Sequence, residues 1–361
     1  MAPDVPPPAP PAPGPDSPAP RPVFDGHNDL LLHLWQAGDA TGRGFFEGRA
    51  GHIDLARCRA GGMAGGFFAI WVPGQHGLPD AGAGLPPAFP PLGPDRARVV
   101  TLAMAGILVR MARARPDAIR LCTTAAQVEA ARAAGAIGAV MHLEGAEAIG
   151  PDLAELEVLH AAGLRSIGPV WSRDNIFGQG VPFRFPSGPD IGGGLTEAGK
   201  RLVAECDRLG IMIDLSHLNE AGFWDVAAIS DRPLVATHSC VHALCPSARN
   251  LTDRQLDAIA ERGGVVGLNF AVQFLRPDGA RDPDTAPDLL ARHLAHLVDR
   301  LGEGGVALGS DYDGALTPRA VGGAEGLPVV IAAMRAAGFG EALVNRICWE
   351  NWLGLVRRVI G

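Results

Sequence analysis

The stretch Val23-Phe24-Asp25-Gly26-His27-Asn28-Asp29-Leu30 closes a short apolar run with a histidine and an aspartate two residues apart. In an extended chain alternate side chains share a face, so His27 and Asp29 can enter one pocket. An imidazole nitrogen with a carboxylate oxygen suits a borderline divalent ion such as zinc. An H-x-D pair by itself occurs in many chains. Its weight comes from four further residues, Glu144, His217, His238 and Asp311, which also stand at the ends of short apolar runs. Singly, each has a plainer reading: a hydrogen-bonded histidine at a strand end, or a glutamate before a glycine in a turn. Together, three histidines, two aspartates and a glutamate form a set that core packing would not select. The chemistry open to such a set is metal-assisted activation of water. Divalent ions activate a water and polarise a carbonyl, and a carboxylate passes a proton to the leaving group.

The elements that must position these residues are eight short apolar runs: Val23–Asp25, Gly66–Val72, Ile137–Leu143, Arg165–Val170, Ile211–Leu215, Leu234–Thr237, Val265–Asn269 and Val306–Leu308. Nearly every run is followed by a helical pattern. Thr196 and Thr252 stand at helix starts as N-cap residues. Continuous apolar runs suit parallel strands buried on both faces. Eight strand–helix units predict an α/β fold, a (β/α)8 TIM barrel. A doubly wound sheet would need a phosphate-type glycine loop after the first strand, and D-G-H-N-D is not one. In the barrel, all six candidate residues sit at the C-terminal strand ends, which converge on one mouth. His142, two residues before Glu144, is expected in the barrel interior below the site. His242 is a weak candidate. His33, His52, His76, His160, His293 and His296 are read as structural or surface residues.

The composition narrows the function further. The chain has 361 residues and a net charge of −8, which argues against nucleic-acid binding. Residues 1–21 read as a disordered Pro/Ala-rich tail, with neither the basic nor the apolar region of a signal peptide. Residues 22–361 read as one barrel domain. Pro73–Pro94 reads as a surface excursion. No run is long and apolar enough to anchor the chain in a membrane. Six scattered cysteines with no C-x-x-C pair suggest free thiols in a reducing, cytoplasmic setting.

At these residues the chain resembles the membrane (renal) dipeptidase family of amidohydrolase-type barrels. The resemblance rests on D-G-H-N-D (Asp25–Asp29), L-E-G (Leu143–Gly145), D-L-S-H (Asp214–His217), T-H-S (Thr237–Ser239), S-A-R-N (Ser247–Asn250) and G-S-D-Y-D-G (Gly309–Gly314). It covers nearly all the chain after the tail. It implies a zinc-dependent dipeptidase with two Zn2+ ions. His27 and Asp29 would hold one ion, His217 and His238 the other, and Glu144 would bridge them. It further implies that Arg249 grips the substrate carboxylate as a bidentate fork. Asp311 would shuttle the proton and meet the amine. Dipeptides with a C-terminal D-residue become candidate substrates, and a homodimer is the assembly implied. Two positions depart from the family pattern. Trp171 stands where a substrate-contacting histidine is usual, with Arg173 as its candidate replacement. Ala271 follows Asn269-Phe270 where a tyrosine is usual. These departures leave open a binuclear hydrolase of another small amide or ester. A metal-binding barrel without hydrolytic activity is the remaining alternative.

Overall fold

The computed structural model describes residues 20–74 and 89–361. Nearly all of the expected tail and the middle of the Pro73–Pro94 segment lie outside the described residues. The strands are β1 (Val23–Asn28), β2 (Met63–Trp71), β3 (Ile119–Leu121), β4 (Ile137–Glu144), β5 (Leu164–Gly168), β6 (Met212–Ile213), β7 (Val235–Ser239), β8 (Val265–Leu268) and β9 (Val306–Leu308). Eight of them pair in the order β6-β5-β4-β2-β1-β9-β8-β7, every pair parallel. The Leu215 N–H donates to the Val235 carbonyl at 2.8 Å and links the two ends of this order. The result is a nearly closed TIM barrel with helices between the strands. Each barrel strand overlaps one of the eight apolar runs. β3 was not foreseen: it has only three residues and pairs with the start of β4 outside the barrel order.

The floor of the barrel is aromatic. Phe24 packs edge-on against Phe67 with ring centroids 5.2 Å apart, and Phe67 against Trp352 at 5.4 Å. Trp352, from the C-terminal helix Asn351–Val359, donates its indole N–H to the Leu308 carbonyl at 2.8 Å. That bond satisfies the one polar atom of a fully buried ring. Gly26 lies where a Cβ would come within 2.3 Å of the Thr237 carbonyl and 2.7 Å of Trp352. Only glycine lets β1 pass so close to the barrel centre.

Helix starts are capped by local side chains. Thr196 accepts from the Gly199 N–H, Asn219 accepts from the Gly222 N–H, and Thr252 forms a capping box with Gln255. Each cap satisfies a backbone donor that the first helical turn leaves unpaired.

Candidate metal centre

The ends of β1 and β9 are stitched together. The Asp25 carboxylate accepts from the Ser310 N–H at 2.7 Å and from its hydroxyl at 2.8 Å. The Asp311 N–H donates to the His27 carbonyl, and the Asp29 N–H to the Tyr312 carbonyl. This is why D-G-H-N-D and G-S-D-Y-D-G, nearly three hundred residues apart, form one structure. The pairing of β1 with β2 is irregular. Asp25 to Asn28 spans three steps against two from Gly66 to Phe68. A bulge of this kind re-aims side chains beside a site. Here the His27 ring lies against His238, with centroids 3.8 Å apart.

Around His27 the candidate side chains converge. His27 Nε2 is 3.4 Å from Asp29 Oδ2 and 3.5 Å from Glu144 Oε2. The other Glu144 oxygen, Oε1, is 2.9 Å from His217 Nε2 and 3.4 Å from His238 Nε2. His27, Asp29 and Glu144 form one group able to hold an ion; Glu144, His217 and His238 form another. His238, His27 and Asp311 are a further close group. Asp311 accepts from the Asn269 amide at 2.9 Å. All of these side chains are buried or nearly so.

The ring nitrogens of the cluster differ in their partners. Neither ring nitrogen of buried His27 has a hydrogen-bond partner. Thr237 donates its hydroxyl proton to Asp214 at 2.5 Å, so it accepts from His238 Nδ1 at 2.8 Å. That fixes the His238 tautomer and leaves Nε2 as a lone pair. His217 Nδ1 meets the Ser172 hydroxyl at 2.7 Å, while its Nε2 accepts from Arg249 at 3.2 Å. Two imidazole lone pairs thus face each other at 3.1 Å beside a carboxylate oxygen. Such an arrangement is unfavourable without a cation and fits one well. Hydroxyl and carboxylate partners behind metal-binding histidines set ring orientation in this way.

Electrostatics agree with that fit. Burial holds His217 and His238 well below the usual imidazole range, with nearby cationic groups acting in the same direction. Both are therefore neutral at pH 7, the state in which an imidazole can hold an ion. Burial pushes the Glu144 carboxyl up to about 7, partly offset by His27. Burial would lower His27, but the Glu144 and Asp29 carboxylates outweigh it and hold it well above its ordinary value. Burial also raises Asp311. The unloaded site thus retains protons where positive charge is lacking.

His142 lies under the site, bonded to Ser166 at 2.8 Å and 3.6 Å from Asp214. A cavity of about 560 Å³ borders the cluster, within the range of small-ligand sites. Its lining includes Asp29, Glu144, His217 and Asp311, together with Trp71, Trp171, Phe183 and Phe274. His33 and His52, read from sequence as structural or surface residues, also line it. Both engage Asp313, whose backbone is held at φ 66°. His242 bonds the Ser187 carbonyl instead. Arg249 is buried against the histidines, donating to Ser239 Oγ and the His238 carbonyl, each at 2.9 Å. Like Arg249, Arg173 does not line the cavity. It pairs with Glu147 at 2.9 Å, donates to the Val72 carbonyl at 2.7 Å, and lies against Trp171 and Trp71.

A model of the membrane dipeptidase family (peptidase family M19) matches residues 19–360. The chain belongs to this family. It is a metallodipeptidase. A metallo peptidase from Rhodobacter sphaeroides, solved with a phosphinate mimic of the dipeptide L-Ala-D-Ala, is 53% identical with a TM-score of 0.90; the match covers 94% of this chain and 99% of that one. Another metallo peptidase structure, dipeptidase AC, is 54% identical with the same TM-score and coverage. A dipeptidase from Claviceps purpurea is 27% identical over 93% of this chain and 76% of its own length. Among the described residues of this dipeptidase, no helix is long and apolar enough to cross a membrane.

Several residues around the centre were beyond sequence reasoning. Ser172, Thr237 and Asp214 orient the histidines, and Asn269 holds Asp311. Thr237 and Asp214 lie within motifs, but their hydrogen bonds join different strands. Gly314 carries a clearer signal, a glycine closing a D-x-D-G turn. A Cβ there would come within 2.1 Å of Asp29 Oδ2 and 2.5 Å of Asp311 Oδ1.

Proposed function

We propose that this dipeptidase hydrolyses its substrate with two zinc ions bridged by Glu144. The observation that carries this reading is the division of the Glu144 carboxylate, with Oε2 toward His27 and Oε1 toward His217 and His238. His27 and Asp29 would complete one site, and His217 and His238 the other. When bound, such a pair of ions activates a water and polarises the scissile carbonyl. Asp311, steadied by Asn269, takes the proton released and passes it to the leaving amine. It also meets the substrate ammonium. Arg249 grips the terminal carboxylate. The His217 lone pair can serve either Arg249 or an ion, so loading the site frees one guanidinium N–H for that task.

The proposed substrates are dipeptides that include a C-terminal D-residue, of the L-Ala-D-Ala kind. Support comes from the relative solved with a mimic of that dipeptide. The six cysteines are free and buried, which suits a reducing compartment, and we assign the enzyme to the cytoplasm. Residues 22–361 would act as one catalytic domain. The test is a panel of L,L and L,D dipeptides assayed with metal-counted protein. Turnover of L-Ala-D-Ala supports the assignment. Fully loaded protein inert to every dipeptide would refute it.

A further inference from the structure

His52 lines the cavity and, among the described residues, belongs to none of the groups able to hold an ion. It is fixed at several points. Its backbone N–H donates to Asp313 Oδ1 at 2.7 Å, and its carbonyl accepts from the Ala324 N–H at 2.9 Å. The Asp313 N–H donates to His52 Nδ1 at 2.9 Å. The second Asp313 oxygen accepts from Arg49 at 2.6 Å, which holds the carboxylate in turn. A backbone N–H can only donate, so Nδ1 is the lone pair of the ring and Nε2 carries the proton. Burial holds the ring below the ordinary imidazole range despite the Asp313 carboxylate, so it is neutral at pH 7. The His52 side chain is 25% exposed. Its Nε2 is accessible and meets no acceptor among the described residues, unlike the two ring nitrogens of His27, which are sealed in. An open donor thus stands on the cavity wall, its direction set by the hydrogen bond at the other ring nitrogen.

We propose that His52 is a specificity-determining residue whose Nε2–H donates a hydrogen bond to a carboxamide oxygen in the side chain of the substrate's N-terminal residue, favouring Asn or Gln there. This rests on the dipeptide reading above, in which Asp311 meets the substrate ammonium. Asp313, which holds His52, lies two residues after Asp311, and Gly314 closes the same turn with its N–H on the Asp311 carbonyl. Arg249, the grip on the terminal carboxylate, lies instead against Phe274, 5.8 Å from its ring centroid. The N-terminal side chain is therefore the part of the dipeptide on the His52 side. His33, bonded to the Asp313 carbonyl, and Gln36, one helical turn further on, add polar groups there. A carboxamide supplies the acceptor without adding a charge.

The test uses substrate pairs matched in shape, L-Asn-D-Ala against L-Leu-D-Ala and L-Gln-D-Ala against L-Met-D-Ala, with metal-loaded enzyme. The wild type is expected to favour the carboxamide of at least one pair by roughly threefold to tenfold in kcat/KM, the worth of one hydrogen bond. His52→Asn keeps an oxygen for the Asp313 N–H and removes the Nε2 donor, so that preference should vanish. His52→Gln keeps an N–H at the reach of Nε2 and should retain most of it. Damage to the fold or to metal loading lowers both members of a pair together, so their ratio isolates the contact. No carboxamide preference in the wild type, or the same preference in His52→Asn, overturns the proposal. Wild-type turnover of L-Ala-D-Ala tests the dipeptide reading separately.

Discussion

Asp311 is held at φ 58°, a left-handed conformation that aspartate and asparagine tolerate better than most residues. Asp311→Asn therefore keeps the backbone and can still meet Asn269, while losing the charge that takes a proton. Turnover should fall by about a hundredfold or more, with the ions per chain unchanged when counted by mass spectrometry. Retained activity would remove Asp311 from the proton path. Protonation also governs loading. In the unloaded site Glu144 titrates at about 7 and His27 well above its ordinary value, and an ion needs both deprotonated. Binding must release protons, so affinity should rise with pH through about 7 and fall below it. A zinc titration at several pH values checks this, and pH-independent affinity would contradict it. The six residues of the cluster were legible in sequence because side-chain type and strand-end position can both be read there. Ser172 and Thr237 were not: Ser172 meets His217 only where the ends of β5 and β6 come together, and Thr237, though beside His238, has its acceptor role set by Asp214 of another strand.

Among the elements, the turn after β9 fits closely against the cluster. Gly314→Ala would push a methyl group into Asp29 and Asp311. Metal affinity should drop by at least about tenfold, as for other disturbed ligand supports, with the circular dichroism of the barrel retained. Full affinity in this variant would mean the turn can yield. The capping box at Thr252 gives a contrasting case. Thr252→Ala should cost about 1 kcal/mol in denaturant unfolding and leave kcat/KM unaffected, because the helix Asp253–Glu261 lies outside the catalytic cluster. The barrel strands were legible as continuous apolar runs because they are buried on both faces. β3 was not: Ile119–Leu121 is too short to show a pattern and exists through its pairing with β4. Nor was the irregular pairing after Asp25, since a bulge leaves no mark on hydrophobic periodicity.

For the whole molecule, the metal centre and the aromatic floor occupy opposite parts of one barrel. The floor, with Trp352 fully buried among Phe24 and Phe67, needs no ion. Metal removal should therefore leave a folded barrel whose melting temperature is several degrees lower, since ions that bind only the native state stabilise it. Trp352→Ala should instead cost about 3–5 kcal/mol whether or not metal is present. The barrel itself was legible because eight runs alternate with helical patterns. Its closure follows from that reading and is made between β6 and β7 by the bridge at Asp214 and Val235. The central claim joins the metal cluster to dipeptide hydrolysis. It is tested most directly by stripping the folded protein of metal, restoring Zn2+ stepwise, and following L-Ala-D-Ala turnover against ions bound per chain. The expected result is no turnover when stripped and a plateau at two ions bound. Full turnover by the stripped protein, or none by the loaded one, would contradict the account.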